Sequence, residues 1–118
     1  MKAYICSPFR AEKEAILDRN IEYAQAITRY AIKKGYAPIT PHLYMTQCLD
    51  ERNEQEREAG LAAGLELLEV CDIVIVGILY GISEGMLREL RRAAELGIDV
   101  EVATADKLIQ QHKKSDTD

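Results

Sequence analysis

Histidine and cysteine are scarce in this chain, and each shortage narrows its chemistry. Only His42 and His112 are histidines among the 118 residues, and neither stands at ligand spacing from a cysteine. A metal centre is therefore not expected. The three cysteines, Cys6, Cys48 and Cys71, form an odd set with no Cys-x-x-Cys pair. That fits a reducing cytoplasm better than a disulfide framework. Long apolar runs are missing too. The longest, around Ile73 to Leu79, is far too short to span a bilayer, so no membrane partner is expected. The opening residues lack the basic segment and long apolar stretch of a signal peptide, which again suggests a cytoplasmic location. Excess positive charge is also absent: 15 Lys and Arg against 20 Asp and Glu leave a net charge of −5. Bulk nucleic-acid binding is excluded on that ground, although a local basic patch for a single phosphate is not.

What is present reads as one globular domain. The chain is 47% hydrophobic and 30% charged, ordinary values for a domain long enough to bury a core. Lys2 to Cys6 reads as a strand closed by Ser7-Pro8. Glu12 to Lys34 reads as a long helix, with Ile16, Tyr23, Ile27 and Tyr30 at helical spacing and Gly35 as its stop. Tyr36 to Thr40 is a second short strand, ended by Pro41, and His42 to Asp50 reads as a loop. A second helix is expected from about Glu51 to Val70, its first half charged and its second half apolar. Asp72 to Ile78 is too apolar to have a solvated face and reads as the central strand. Ser83 to Leu96 is a third helix with Gly97 as its C-cap. In Ile98 to Ala103, Asp99 and Glu101 alternate with apolar residues, the pattern of a strand near the sheet edge. Thr104 caps a last helix through Gln111. The domain is taken as residues 1–112, with 113–118 a polar tail.

Strands alternating with helices imply a parallel sheet with right-handed crossovers and helices on both faces. The expected fold is α/β: a single-domain Rossmann-like or flavodoxin-like three-layer sandwich with a parallel sheet of about four to five strands. In such sheets ligands bind beyond the C-terminal strand ends, where helix N-termini offer free N–H groups.

Two segments fall at that rim. Ser83 is set to cap the third helix and to contact an anion, two compatible roles. Glu89 lies at most two turns into the same helix; it either reaches over the crevice or is a solvated carboxylate paired with Arg88 or Arg92. At the end of the first strand, Ser7 and Arg10 are either phosphate contacts or a turn residue and a surface charge. His42, after Pro41, is a base or sugar contact or a polar surface residue. Tyr4 alternates with Ile5, so the two face opposite helix layers. Tyr23 and Tyr30 read as packing residues, and Asp50 to Glu58 as a solvated helix face. Gly60 and Gly64 weaken the second helix. They imply close approach by something, either a partner helix or a bulky ligand.

With these motifs in place, the chain resembles the nucleoside 2-deoxyribosyltransferase superfamily, including the 2′-deoxynucleoside 5′-phosphate N-hydrolases, over roughly residues 3 to 103. Tyr4-Ile5-Cys6-Ser7-Pro8-Phe9-Arg10 matches the family's first strand and loop. The resemblance implies a sugar contact for Tyr4 and a 5′-phosphate cradle of Ser7 and Arg10. Thr40-Pro41-His42 matches a segment that brings a His near the pocket. Ser83 matches a phosphate-binding Ser, and Gly85 a Gly that lets the ligand approach the backbone. Glu89 matches the Glu that attacks the anomeric carbon. One departure stands out: Gly64 occupies the position of the family's catalytic Asp. The resemblance implies cleavage or transfer of an N-glycosidic bond in a nucleoside or nucleoside 5′-monophosphate, with no metal or organic cofactor. It also implies a homo-oligomer, a dimer or higher, in which neighbours complete each pocket. Two alternatives stay open: a protein that binds a nucleotide or nucleotide-derived signal without turning it over, and a structural oligomer with a vestigial pocket.

Overall fold

The computed structural model describes residues 1–104. The expected last helix and polar tail lie beyond the described residues. Within them the order is β1 (Lys2–Cys6), α1 (Glu14–Lys33), β2 (Ala37–Ile39), a single 3₁₀ turn (Pro41–Leu43), α2 (Met45–Cys48), α3 (Glu54–Glu69), β3 (Ile73–Gly77), α4 (Glu84–Leu96) and β4 (Asp99–Ala103). Four parallel strands form one sheet in the order β2-β1-β3-β4, the flavodoxin-like arrangement expected.

Strand alternation divides the core into two layers. Ala3, Ile5, Ile73 and Ile75 face α1 and pack with Tyr23, Ala26, Ile27, Tyr30 and Ala31. Tyr4, Cys6, Val74 and Val76 face the other way, toward α3 and α4, and pack with Leu68, Met86 and Ala93. The open direction of Tyr4 is thereby settled: it points to the α3–α4 side. All five β3 residues are buried, because the strand is paired on both edges and covered on both faces.

Several expected boundaries move, each for a local reason. The apolar stripe of α1 starts later than the spacing suggests, and Ile16 is exposed. The loop after β2 coils into the 3₁₀ turn and α2, with Thr46 Oγ1 donating to the His42 carbonyl at 2.7 Å. Helix α3 begins at Glu54 rather than Glu51, because the Asn53 side chain accepts from the Glu56 N–H and caps it there. β4 is an edge strand, as its alternation implies. Its valines are not covered, however: Val100 and Val102 are exposed, while Ala103 is buried against the α1 side and Glu101 accepts from Tyr30 Oη at 3.0 Å and from Lys34 Nζ at 2.9 Å. Gly97 closes α4 in the left-handed region (φ 70°), as a helix C-cap requires.

The end of β3 has no room for a side chain. A Cβ on Gly77 would meet Ile27 Cδ1 and stand 2.6 Å from Tyr23 Oη. That hydroxyl accepts from the Leu79 N–H at 3.2 Å and so fixes the exit of the chain from the sheet. Gly77→Ala should cost about 1–3 kcal/mol in urea unfolding through overpacking. A change under about 0.5 kcal/mol, the usual range for a surface site, would show that the contact is not tight.

Candidate functional site

The strand order reverses between β1 and β3. From β1 the chain moves outward to β2, then crosses back to lay β3 on the other side of β1. The loops leaving the two central strands therefore diverge to opposite faces and open a crevice at the C-terminal edge, the usual ligand position in this architecture. A cavity of about 300 Å³ lies there. That is the lower end of the range for small-molecule sites, large enough for one mononucleotide-sized ligand.

All seven sequence-derived candidates line this cavity: Tyr4, Ser7, Arg10, His42, Ser83, Gly85 and Glu89. Each arrives by a separate route. Ser7 follows the last residue of β1, is 1% exposed, and its Oγ has no hydrogen-bond partner among the described residues. A buried hydroxyl left unpaired is costly, and its position on the cavity wall gives a ligand oxygen somewhere to bind. Arg10 is exposed at the mouth. His42 is delivered by the turn after β2, where Thr28 and Thr40 share a 2.6 Å hydrogen bond between α1 and the strand end. The His42 ring stacks on Phe9 with centroids 5.1 Å apart and 14° between planes. Burial lowers its pKa, and a hydrogen bond to the Ser7 backbone pulls the other way. With burial dominant, the imidazole is neutral at pH 7.

At the opposite wall, Ser83 caps α4 by accepting from the Met86 N–H at 3.2 Å. The reciprocal partner is unusual: the Ser83 N–H donates to the Met86 sulfur at 3.5 Å, where a capping box normally has Glu or Gln. Met86, Glu89 and Ala93 form the buried stripe of α4. Glu89 therefore occupies a core position on an amphipathic helix, a carboxylate where the pattern calls for an apolar side chain. It is 7% exposed, and its Oε2 has no partner among the described residues. Burial raises its pKa to about 7, partly offset by a hydrogen bond from Tyr4. Among the described residues Glu89 forms no ion pair with Arg88 or Arg92, and Arg92 pairs with Glu69 and Glu95 instead. Burial pushes the Tyr4 and Cys6 groups well above their ordinary values, and the Glu89 charge adds to both effects. Tyr4 thus stays protonated and can only donate to the carboxylate.

The two helical glycines receive neighbours from their own chain. A Cβ on Gly64 would lie 3.1 Å from Tyr4 Oη, and one on Gly60 would lie 3.0 Å from Leu49 Cδ1. The close approach they imply therefore requires neither a partner helix nor a bulky ligand. Sequence reading also missed Phe9, Met45, Glu51 and Arg57 on the cavity wall, which Arg88 lines as well. Glu51 and Arg57 lie within the stretch read as a solvated face. Asp50 meanwhile serves its local turn, accepting from the Arg52 N–H at 3.0 Å. Among the described residues, no three His, Cys, Asp or Glu side chains gather as a metal ion would require. No helix there is long and apolar enough to cross a membrane.

The Glu89 shift has a consequence for stability. Its folded pKa of about 7 lies above its unfolded value of 4.5, so the native state holds a proton that the unfolded chain releases between those pH values. Wild-type stability should fall across that window by about 3 kcal/mol relative to Glu89→Gln, whose amide does not titrate. Chemical denaturation of both proteins at pH 4 and pH 8 measures this. Parallel profiles would mean that the carboxylate is solvated.

Comparison with known proteins gives a fold relationship and a family. A solved 2-deoxyribosyltransferase from the psychrotolerant bacterium Bacillus psychrosaccharolyticus superposes with a TM-score of 0.69 at 19% identity, covering 86% of this chain and 71% of that one. At that identity the likeness is one of fold. No curated protein sequence matches. The model of one family, Domain of unknown function (DUF7768), matches residues 1–103, and the chain belongs to that family.

Proposed function

We propose that this protein cleaves or transfers the N-glycosidic bond of a nucleoside 5′-monophosphate, with Glu89 as the nucleophile. The observation that carries this reading is the pairing of two buried, unsatisfied polar groups on one cavity: Glu89 Oε2 and Ser7 Oγ. A carboxylate nucleophile and an anion-binding hydroxyl facing one space is what attack on a phosphorylated sugar needs. The fold shared with a 2-deoxyribosyltransferase agrees with it.

In this reading the 5′-phosphate sits between Ser7, Arg10 and the N-terminus of α4, where the Ser83 side chain caps the helix and Gly85 offers one of its first-turn backbone N–H groups. The sugar then lies over Tyr4 and Glu89, and the base extends toward His42. A Glu89 carboxylate oxygen attacks the anomeric carbon as the carbon–nitrogen bond breaks. The bonding pair leaves with the base, which takes up a proton from water. Water or a second base then displaces the glycosyl ester and restores the carboxylate. The Tyr4 hydroxyl bond favours the ionised form against burial, keeping a nucleophilic fraction near neutral pH. The wild-type rate should rise with pH through about 7 as that fraction grows.

One observation favours a second reading, binding without turnover. Tyr4 Oη closes on Gly64, the position where the resemblance expects a second carboxylate. A panel of nucleoside 5′-monophosphates, assayed chromatographically for free base, separates the two. Base release by wild type, lost by more than about 10³-fold in Glu89→Gln, fits a covalent role. Ser7→Ala should weaken monophosphate binding by about tenfold, since a hydrogen bond to a charged group is worth about 1.5–3 kcal/mol. Saturable binding without any base release would favour the second reading, and undiminished turnover by Glu89→Gln would exclude the nucleophile.

A further inference from the structure

We propose that Arg19 and Asn20 are positioning residues that hold the two rim loops of the cavity at a fixed separation and thereby set its preference for a 5′-phosphate. This rests on the nucleotide reading above. Neither residue touches the cavity; both belong to α1, on the far face of the sheet. Asn20 is 2% exposed, and its Nδ2 donates to the Phe9 carbonyl at 3.0 Å. Its Oδ1 accepts from Arg19 Nη2 at 3.1 Å. The guanidinium carbon of Arg19 lies 3.7 Å from the centre of the Tyr80 ring. Tyr80 in turn stands edge-on to Tyr23, with centroids 5.1 Å apart, and Tyr23 holds the Leu79 N–H. One continuous set of contacts thus runs from the loop after β1 to the loop after β3.

Those two loops supply opposite walls of the phosphate cradle, Ser7 and Arg10 on one side and Ser83 on the other. The second loop has little else to anchor it: Ile78, Leu79, Tyr80 and Ile82 are all exposed. Arg19 accepts a cost to hold its place, since its Nε is buried with no partner among the described residues. A flat guanidinium can stack on Tyr80 and donate to Asn20 at once; a lysine ammonium offers no plane. Anion binding by groups on two loops is sensitive to their spacing, because small misplacements are amplified in affinity and rate.

Arg19→Met keeps length and apolar bulk but removes plane and donors, and Arg19→Lys keeps the charge. The test compares calorimetric affinity for a nucleoside 5′-monophosphate and for its unphosphorylated nucleoside, alongside amide hydrogen exchange. Both variants should lose about tenfold in monophosphate affinity while nucleoside affinity changes less than about threefold. Exchange should accelerate together at residues 9–12 and 79–83, with α1 still protected. Equal weakening of both ligands, or acceleration in one loop only, would overturn the positioning role while leaving the nucleotide reading intact. Wild-type protein that binds no monophosphate would overturn both.

Discussion

The reversal of strand order at β1 and β3 is the constraint on which the rest of this molecule depends. It forces the chain leaving β1 toward α1 and the chain leaving β3 toward α4, on opposite faces of the sheet. The gap between them is thus a product of topology rather than of any one side chain. It also gathers residues far apart in sequence, Ser7 from one strand end and Ser83 from beyond the other, without a long loop to carry either. Because β1 and β3 are the two most buried strands, the gap has rigid walls at its base. A side chain such as Tyr4, rooted in β1, is held by the core on which the sheet itself relies.

Glu89 is where stability and chemistry conflict. Its place on the buried stripe of α4 is one an apolar residue would fill more favourably, and the neighbouring hydrogen bond from Tyr4 only partly offsets the loss of water. The second oxygen is left without a partner among the described residues. Natural sequences break a local rule of this kind chiefly where function requires it, and such carboxylates cluster in active sites. Ser7 repeats the pattern on the facing wall with a neutral group. Two independent departures from polar satisfaction, aimed at one cavity, carry more weight together than either alone.

Most of the fold was legible because the signals are short-range. The β3 run announces a doubly covered strand, Gly97 marks the end of α4, and the Asp99–Glu101 alternation marks an edge. The boundaries that moved did so where a single cap decided them, as Asn53 does for α3. In the site, residues at strand ends and helix starts were readable, because a parallel sheet puts such positions at one rim. Arg57 and Glu51 were not, since a charged half-helix looks solvated until the segment from Pro41 to Asn53 folds back over the crevice. Burial of Glu89 was in principle readable from its spacing with Met86 and Ala93. The direction of Tyr4 was not, because alternation gives two faces without saying which is which.

The contact between Tyr4 and Gly64 bears on what kind of site this is. A residue with any side chain at position 64 would press on the Tyr4 hydroxyl, the group that favours the ionised form of Glu89. Glycine there and tyrosine on β1 are therefore matched: the helix gives up its side chain so that the phenol can reach the carboxyl group. A side chain at position 64 would require the Tyr4 hydroxyl to give way by a few tenths of an ångström. The cavity thus sets the buried Glu89 carboxyl group beside a phenol that burial keeps protonated, with Glu51 and Glu84 as further acids on its wall.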